Sequence, residues 1–250
     1  MIDNLPLSRL TGHGTLSISE RDLLTKLAGQ SYYVAKSRRI SREGEPVEGF
    51  FLLISGWAMS ARHLGEGRQI VKVHLSGEWM GTTSMALRHA AEDLVALTDV
   101  TVAKVSLERF SCLFSEHPRL AMRIVLSIQS EEAELIDRML TARRHSAESR
   151  VAAFLLDVRD RLRPLHQVAN NAFDLPVTQV DIADLLGLTA VHTNRVLRSL
   201  TEQGYIQRTG KRIALLDEAA LSKLAPRRAR EPMRDPSWLP EPSLGASAVG

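Results

Sequence analysis

Two hydrophobic periods divide this chain. Over the first hundred or so residues, apolar positions come in short runs or alternate with polar ones. Examples are Phe50-Phe-Leu-Leu-Ile54, Trp57-Ala-Met59, Gln69-Ile-Val-Lys-Val-His-Leu75 and Val100-Thr-Val-Ala-Lys-Val105. Side chains alternate faces along a strand, so these segments predict β-structure. Gly44, Gly49, Gly56, Gly65, Gly67, Gly77 and Gly81 punctuate them with the spacing of turns, which predicts a meandering or jelly-roll barrel. A short helix is expected outside it at 19–29, with Ser19 as its cap.

From Pro118 to Arg144 the period becomes helical. Leu120, Ala121, Ile124, Val125, Ile128, Leu135, Ile136, Met139 and Leu140 form one stripe, and Pro118 suits a first turn. One small barrel covers little of so long a helix, so pairing with the same helix of a second subunit is the natural use. An intramolecular core helix is the alternative. Ser146 to Arg163 predicts a further amphipathic helix, with Ala152, Ala153, Leu155, Leu156 and Leu162 on its apolar face.

The segment from Val177 to Leu200 predicts two short helices around a tight turn. Ile182, Ala183, Leu185 and Leu186 give the first an apolar face, and Gly187 stands where the chain must reverse. Thr189 can cap the second helix, in which Val196, Leu197 and Leu200 recur at helical spacing. A helical hairpin shares these features, but the usual purpose of the unit is to place a helix in a DNA groove. Gly204 to Leu216 then predicts two strands around Thr209-Gly210-Lys211, a wing. Its Arg208, Lys211 and Arg212 form a cationic tip that could meet phosphates.

Charge adds little to this picture. Thr141 to Leu216 holds eleven Lys/Arg against seven Asp/Glu, and the whole chain carries a net charge of +3, too mild to identify a partner. Cys112 is the single cysteine, which excludes an intramolecular disulfide framework and cysteine-built iron–sulfur or zinc sites. Its apolar neighbours Phe110 to Phe114 suggest a buried, inert thiol. No run approaches a membrane span and no cationic leader precedes an apolar core, so a cytoplasmic protein without a membrane partner is expected. After Ala225 the chain turns rich in proline and small residues, which predicts a largely disordered tail at 225–250. Arg227, Arg228, Arg230 and Arg234 could touch DNA phosphates from it.

In its order of parts, the chain resembles the bacterial transcription regulators of the cyclic-AMP receptor protein and fumarate-nitrate-reduction regulator (CRP/FNR) superfamily. The resemblance covers roughly residues 18–224 and is carried by Leu175 to Thr189, by Asn194-Arg195-Val-Leu and by Gly210 to Asp217. It implies an α+β protein: a cyclic-nucleotide-binding-like jelly-roll β-barrel at 1–115, a dimerisation helix at 116–144 and a winged helix-turn-helix at 145–224. It also implies a homodimer on palindromic double-stranded DNA, with RNA polymerase a partner for an activator. Arg195 falls on the family's base-reading arginine. Val191 replaces the glutamate usual one turn earlier, so a contact to cytosine is lost and a thymine methyl is the substitute. His192 and Asn194 are further candidate base contacts. Thr178, Gln179, Thr189, Arg198, Lys211 and Arg212 are candidates for the DNA backbone. Thr193 stands where relatives bury Val or Ile, and its hydroxyl is expected to bond back to the preceding turn.

The same resemblance directs attention to an effector pocket. Gly77-Glu78 matches the start of the family's ribose-binding Gly-Glu-Leu turn, with Trp79 in place of leucine. Ala91-Glu92 takes the place of the phosphate-holding Arg-Ser pair, and Arg88-His89 precedes it. An alanine and a carboxylate suit a phosphate poorly, so cyclic AMP is not the expected effector. Room remains for another small molecule. Haem would need axial ligands, and His63, His74 and His89 lack a paired motif. Two other functions would need different features. A metal-dependent enzyme on the barrel would need ligands that His63, Glu66 and His74 only approximate. A nucleotide-binding module acting through protein contacts would show no salt-dependent duplex binding.

Overall fold

The computed structural model describes residues 16–28, 31–65, 67–225 and 237–240. The tail arginines Arg227, Arg228, Arg230 and Arg234 lie outside these, as do Glu66 and the side chain of Leu140. Helix α1 (Ile18–Ala28) comes first. Its cap is Ser17 rather than Ser19: the Ser17 hydroxyl accepts from the Glu20 amide, and Glu20 accepts from the Ser17 amide in return.

Eight strands follow: β1 (Ser31–Val34), β2 (Arg39–Ser41), β3 (Gly49–Ser55), β4 (Trp57–Leu64), β5 (Gly67–Leu75), β6 (Trp79–Met80), β7 (Asp93–Ala96) and β8 (Val100–Ser106). They make two antiparallel four-stranded sheets, in the orders β1-β8-β3-β6 and β2-β7-β4-β5. The expected jelly-roll barrel is not found. Each ladder ends on open edges, β1 and β6 in one and β2 and β5 in the other, so the sheets form an open sandwich. At Gly56 the chain leaves one sheet for the other, so β3 and β4 do not pair as a hairpin that could continue a ring. The φ of Gly56 is +86°, and a Cβ there would lie 2.3 Å from the Asp99 carbonyl oxygen.

Strand β3 explains the unbroken apolar run Phe50 to Ile54. Phe51 and Leu53 point between the sheets, against Ala58, Met80, Leu94 and Val102. Phe50 and Leu52 point the other way, onto Trp79, Phe110, Leu113 and the start of the long helix. A strand buried on both faces has no polar alternation to show.

Helix α2 (Leu107–Glu116) buries Phe110 and Leu113, while Cys112 lies off that face and is exposed, against the expectation of a buried thiol. Helix α3 (Pro118–Arg144) buries Leu120, Ala121 and Ile124 against the first sheet. Toward its C-terminal end the same stripe comes into solvent, and Ile136 and Met139 are 49% and 59% exposed.

Helix α4 (Ala147–Leu162) opens the last part of the chain, capped by the Ser146 hydroxyl. Beyond it lie β9 (Ala172–Asp174), α5 (Gln179–Leu186), α6 (Ala190–Glu202), β10 (Ile206–Thr209), β11 (Arg212–Leu215) and α7 (Glu218–Leu224). One apolar cluster runs from Trp57, Met59, Ile70 and Val73 of the second sheet, through Val151, Leu155 and Val158 of α4, to Leu200, Ile213 and Leu221. The strand-rich part and the helical part therefore share a core.

Candidate nucleic-acid interface

Helices α5 and α6 are set by their ends. Thr178 and Asp181 form a reciprocal capping box at the start of α5. Gly187 terminates it at φ +64°, and the Leu188 amide donates to the Ala183 carbonyl, closing the turn as expected. The Arg150 guanidinium donates to the Leu186 carbonyl, satisfying a further free end. Thr189 caps α6 by accepting from the His192 amide at 3.1 Å. Val196, Leu197 and Leu200 of α6 are buried in the shared core.

The opposite face of α6 is open. Val191 is 82% exposed, and Asn194, Arg195 and Arg198 are also exposed, with His192 half-buried. Val191 makes no contribution to the buried core of α6. Asn194 accepts from the Gln179 amide at 3.3 Å, which ties the first helix to the candidate reading face. Arg198 is held along the helix by Glu202, at 2.8 Å. Thr193 is fully buried, and its hydroxyl has no partner among the described residues. The expected bond back to the preceding turn is not made.

Strands β10 and β11 form the wing, with Gly210 at its turn at φ +62°. Lys211 and Arg208 are exposed, while Arg212 faces Asp174 of β9 across the sheet at 3.5 Å. The third strand, β9, was not evident in the sequence. It spans three residues, too few to show a period, and it pairs with β11. Together α5, α6 and the wing place Thr178, Gln179, Thr189, Asn194, Arg195, Arg198 and Lys211 on one exposed unit.

Residues 149–224 match the model of the Crp-like helix-turn-helix domain, and residues 33–117 match that of the cyclic nucleotide-binding domain. The nitrogen fixation regulation protein FixK of Bradyrhizobium diazoefficiens is 31% identical over 79% of this chain and 82% of its own. The chain belongs to the CRP/FNR family of transcription regulators. The transcriptional activatory protein AadR of Rhodopseudomonas palustris is 30% identical, over 85% of this chain and 87% of its own. The solved structure of FixK2 from Bradyrhizobium japonicum superimposes with a TM-score of 0.72 at 27% identity, covering 80% of this chain and 98% of that one. The protein is a DNA-binding regulator, and these relatives are regulators rather than enzymes.

The cyclic nucleotide-binding-like domain at 33–117 does not gather the five expected pocket residues around one cavity. Trp79 is buried, edge-on to Phe50, and its indole N–H donates to Ser127 of α3 at 3.1 Å. Gly77 turns the chain beside it at φ +88°. The Glu78 carboxylate is 2% exposed and held by Arg161 of α4 and by Lys72, which also contacts Glu131 of α3 at 2.7 Å. Arg88 and His89 are exposed on a loop. A cavity of about 310 Å³ is lined by Tyr32, Ser41, Glu45, Glu48, Gly81, Ser84, Glu92 and Lys104 among others, and the Arg88–His89 segment pairs with Pro46 and Val47 of its lining while Gly77 to Trp79 stay outside it. The turn that reaches it is therefore Gly81 to Ser84, four residues beyond Gly77.

Burial pushes the Glu92 carboxyl above the usual range, and the hydroxyls of Thr83 and Ser60 only partly oppose this. Lys104 is paired with Glu48. His63 contacts Asp93, and His74 is buried against Ser60. No three His, Cys, Asp or Glu among the described residues are arranged to hold a metal ion. Among the same residues, no helix is long and apolar enough to cross a membrane.

Proposed function

We propose that two copies of this chain bind a two-fold symmetric duplex site, one α6 in each of two successive major grooves. The observation that carries this is the open face of α6, where Val191, Asn194 and Arg195 stand in solvent beside a cationic wing. Arg195 reads guanine, Asn194 reads adenine, Val191 meets a thymine methyl and His192 adds a fourth contact. Thr178, Gln179, Thr189, Arg198, Lys211 and Arg212 hold the phosphates on either side. The half-exposed Ile136 and Met139 extend the apolar stripe of α3 and supply the contact between the copies.

The sensory domain sets the geometry of the two reading helices. Its cavity presents Glu45, Glu48 and Glu92, and Lys104, the one lining cation among the described residues, is already paired to Glu48, so a cyclic phosphate is not its ligand. AadR is named an activatory protein, and by that likeness RNA polymerase is the partner at the promoter.

Replacing Arg195 with alanine tests the reading directly. Discrimination at one base of each half-site should fall by roughly 1–3 kcal/mol, with the fold unchanged. Equal loss on every duplex would make Arg195 a phosphate contact and remove the proposed reading.

A further inference from the structure

The edge strand of the second sheet is covered by the DNA-binding unit through a specific set of polar contacts. Arg68 donates from Nε and Nη2 to Asp184 Oδ2, at 2.9 and 2.7 Å, and from Nη2 to Asp181 Oδ1 at 2.7 Å. The neighbouring Gln69 amide donates to the main-chain carbonyl of Asp184. Both partners lie on α5, the first helix of the helix-turn-helix, more than a hundred residues away in the chain. We propose that Arg68 is a positioning residue for DNA binding: from the sensory domain it clamps α5 in the orientation that presents α6 to the duplex.

Three observations support this. First, the anchor belongs to a ladder. Arg68 sits opposite His63 in the β4–β5 ladder, and its Nη1 rests on the Met59 sulfur at the rim of the shared core. Second, the target is the part of α5 that determines where α6 points. Asp181 is also the capping-box carboxylate that closes the first turn of α5, and Gln179 of the same turn donates to Asn194 on the reading face. A fork that engages two carboxylates one turn apart restrains rotation as well as distance.

Third, the clamped state leaves the reading face uncovered, because Val191, Asn194 and Arg195 remain exposed while Arg68 is engaged. The arrangement differs from the buried Arg161–Glu78 joint nearby. The Arg68 side chain is 31% exposed, so its contacts can be exchanged for water without unfolding the protein.

This inference rests on the DNA-binding function and adds a route by which the sensory domain controls it. The test uses the full chain with Arg68→Ala, Asp184→Asn and the double variant, each titrated against the duplex that wild type selects, over a range of salt. Each single variant should bind about fivefold or more weakly. The double variant should be no weaker than the worse single one, because both remove one contact. Base preference and salt slope should match wild type. Unchanged or tighter binding would overturn the proposal, the latter by making the contact inhibitory. A slope reduced by about one would also overturn it, because Arg68 would then be a phosphate contact.

Hydrogen exchange on the DNA-free protein reads the docking independently of any duplex. Arg68→Ala should speed exchange in 67–70 and 179–186 while leaving α7 unchanged. Were wild type to bind no duplex, the DNA-reading proposal would fall, and unaltered exchange would separately sink the clamp.

Discussion

Arg161, on the first helix of the helix-turn-helix domain, donates from Nε and Nη2 to the two carboxylate oxygens of Glu78 on the cyclic nucleotide-binding-like domain, at 3.0 and 2.9 Å. Its Nη2 also reaches the Val73 carbonyl, at 2.6 Å. Lys72 stands 3.2 Å from the same carboxylate and 2.7 Å from Glu131 of the long helix. Three elements, the second sheet with the turn that follows it, α3 and α4, thus meet at one buried polar cluster. Removing one member of such a cluster leaves its partners poorly compensated away from water. Arg161→Met should therefore cost about 3–5 kcal/mol in urea unfolding. A loss below about 1 kcal/mol, the range of an exposed pair, would show that the joint is solvated.

Thr193 offers the opposite case. Its hydroxyl is fully buried without a partner among the described residues, so it carries a desolvation cost with no bond to offset it. Thr193→Val keeps the shape and should stabilise the fold by about 1 kcal/mol, seen as a higher melting temperature with DNA affinity unchanged. A lower melting temperature would mean that the hydroxyl is bonded, to a water or a neighbour.

Acid should loosen the helix-turn-helix through Asp181. Burial alone would raise this carboxyl, but the hydroxyl and amide of Thr178, together with Arg68, outweigh it and hold the group below its ordinary value. A lowered folded value means stability that is present above the unfolded Asp value of about 4 and lost as pH falls through the folded one. Wild type should thus lose stability below about pH 4 more steeply than Asp181→Asn. Parallel profiles would show that Asp181 does not contribute.

The wing should act through charge. Lys211 is exposed beside the Gly210 turn, and Arg212 is held only at 3.5 Å by Asp174. Alanine at either position should weaken binding to all duplexes alike and reduce the salt slope by about one. An unaltered slope would take the wing out of the interface.

The DNA-binding unit was legible because its signals are local. Thr178, Gly187 and Thr189 cap or terminate helices within a few residues of themselves, so each can be read without knowing the rest of the fold. The barrel was not, because closure depends on which strands meet, and Gly56 directs β3 and β4 into different sheets. The observed cavity meets the chain at Gly81, four residues beyond the Gly77 turn. Gly77-Glu78 and Gly81 both begin glycine turns, and only the fold shows that Glu78 is engaged by Arg161. Arg68 carried no signal at all: a cation on an alternating strand looks solvated until its partners arrive from residues 181 and 184. Cys112 shows the limit of neighbours in sequence, since α2 buries Phe110 and Leu113 and leaves the thiol outside.

The most direct test of the central claim is selection of bound sequences from a random duplex library by the purified protein, with no effector added. The account predicts a two-fold symmetric motif whose half-sites lie about one helical turn apart. Guanine should stand where Arg195→Ala relaxes preference, and thymine opposite Val191. Recovery of no motif, or of an asymmetric one bound by a single copy, would contradict it.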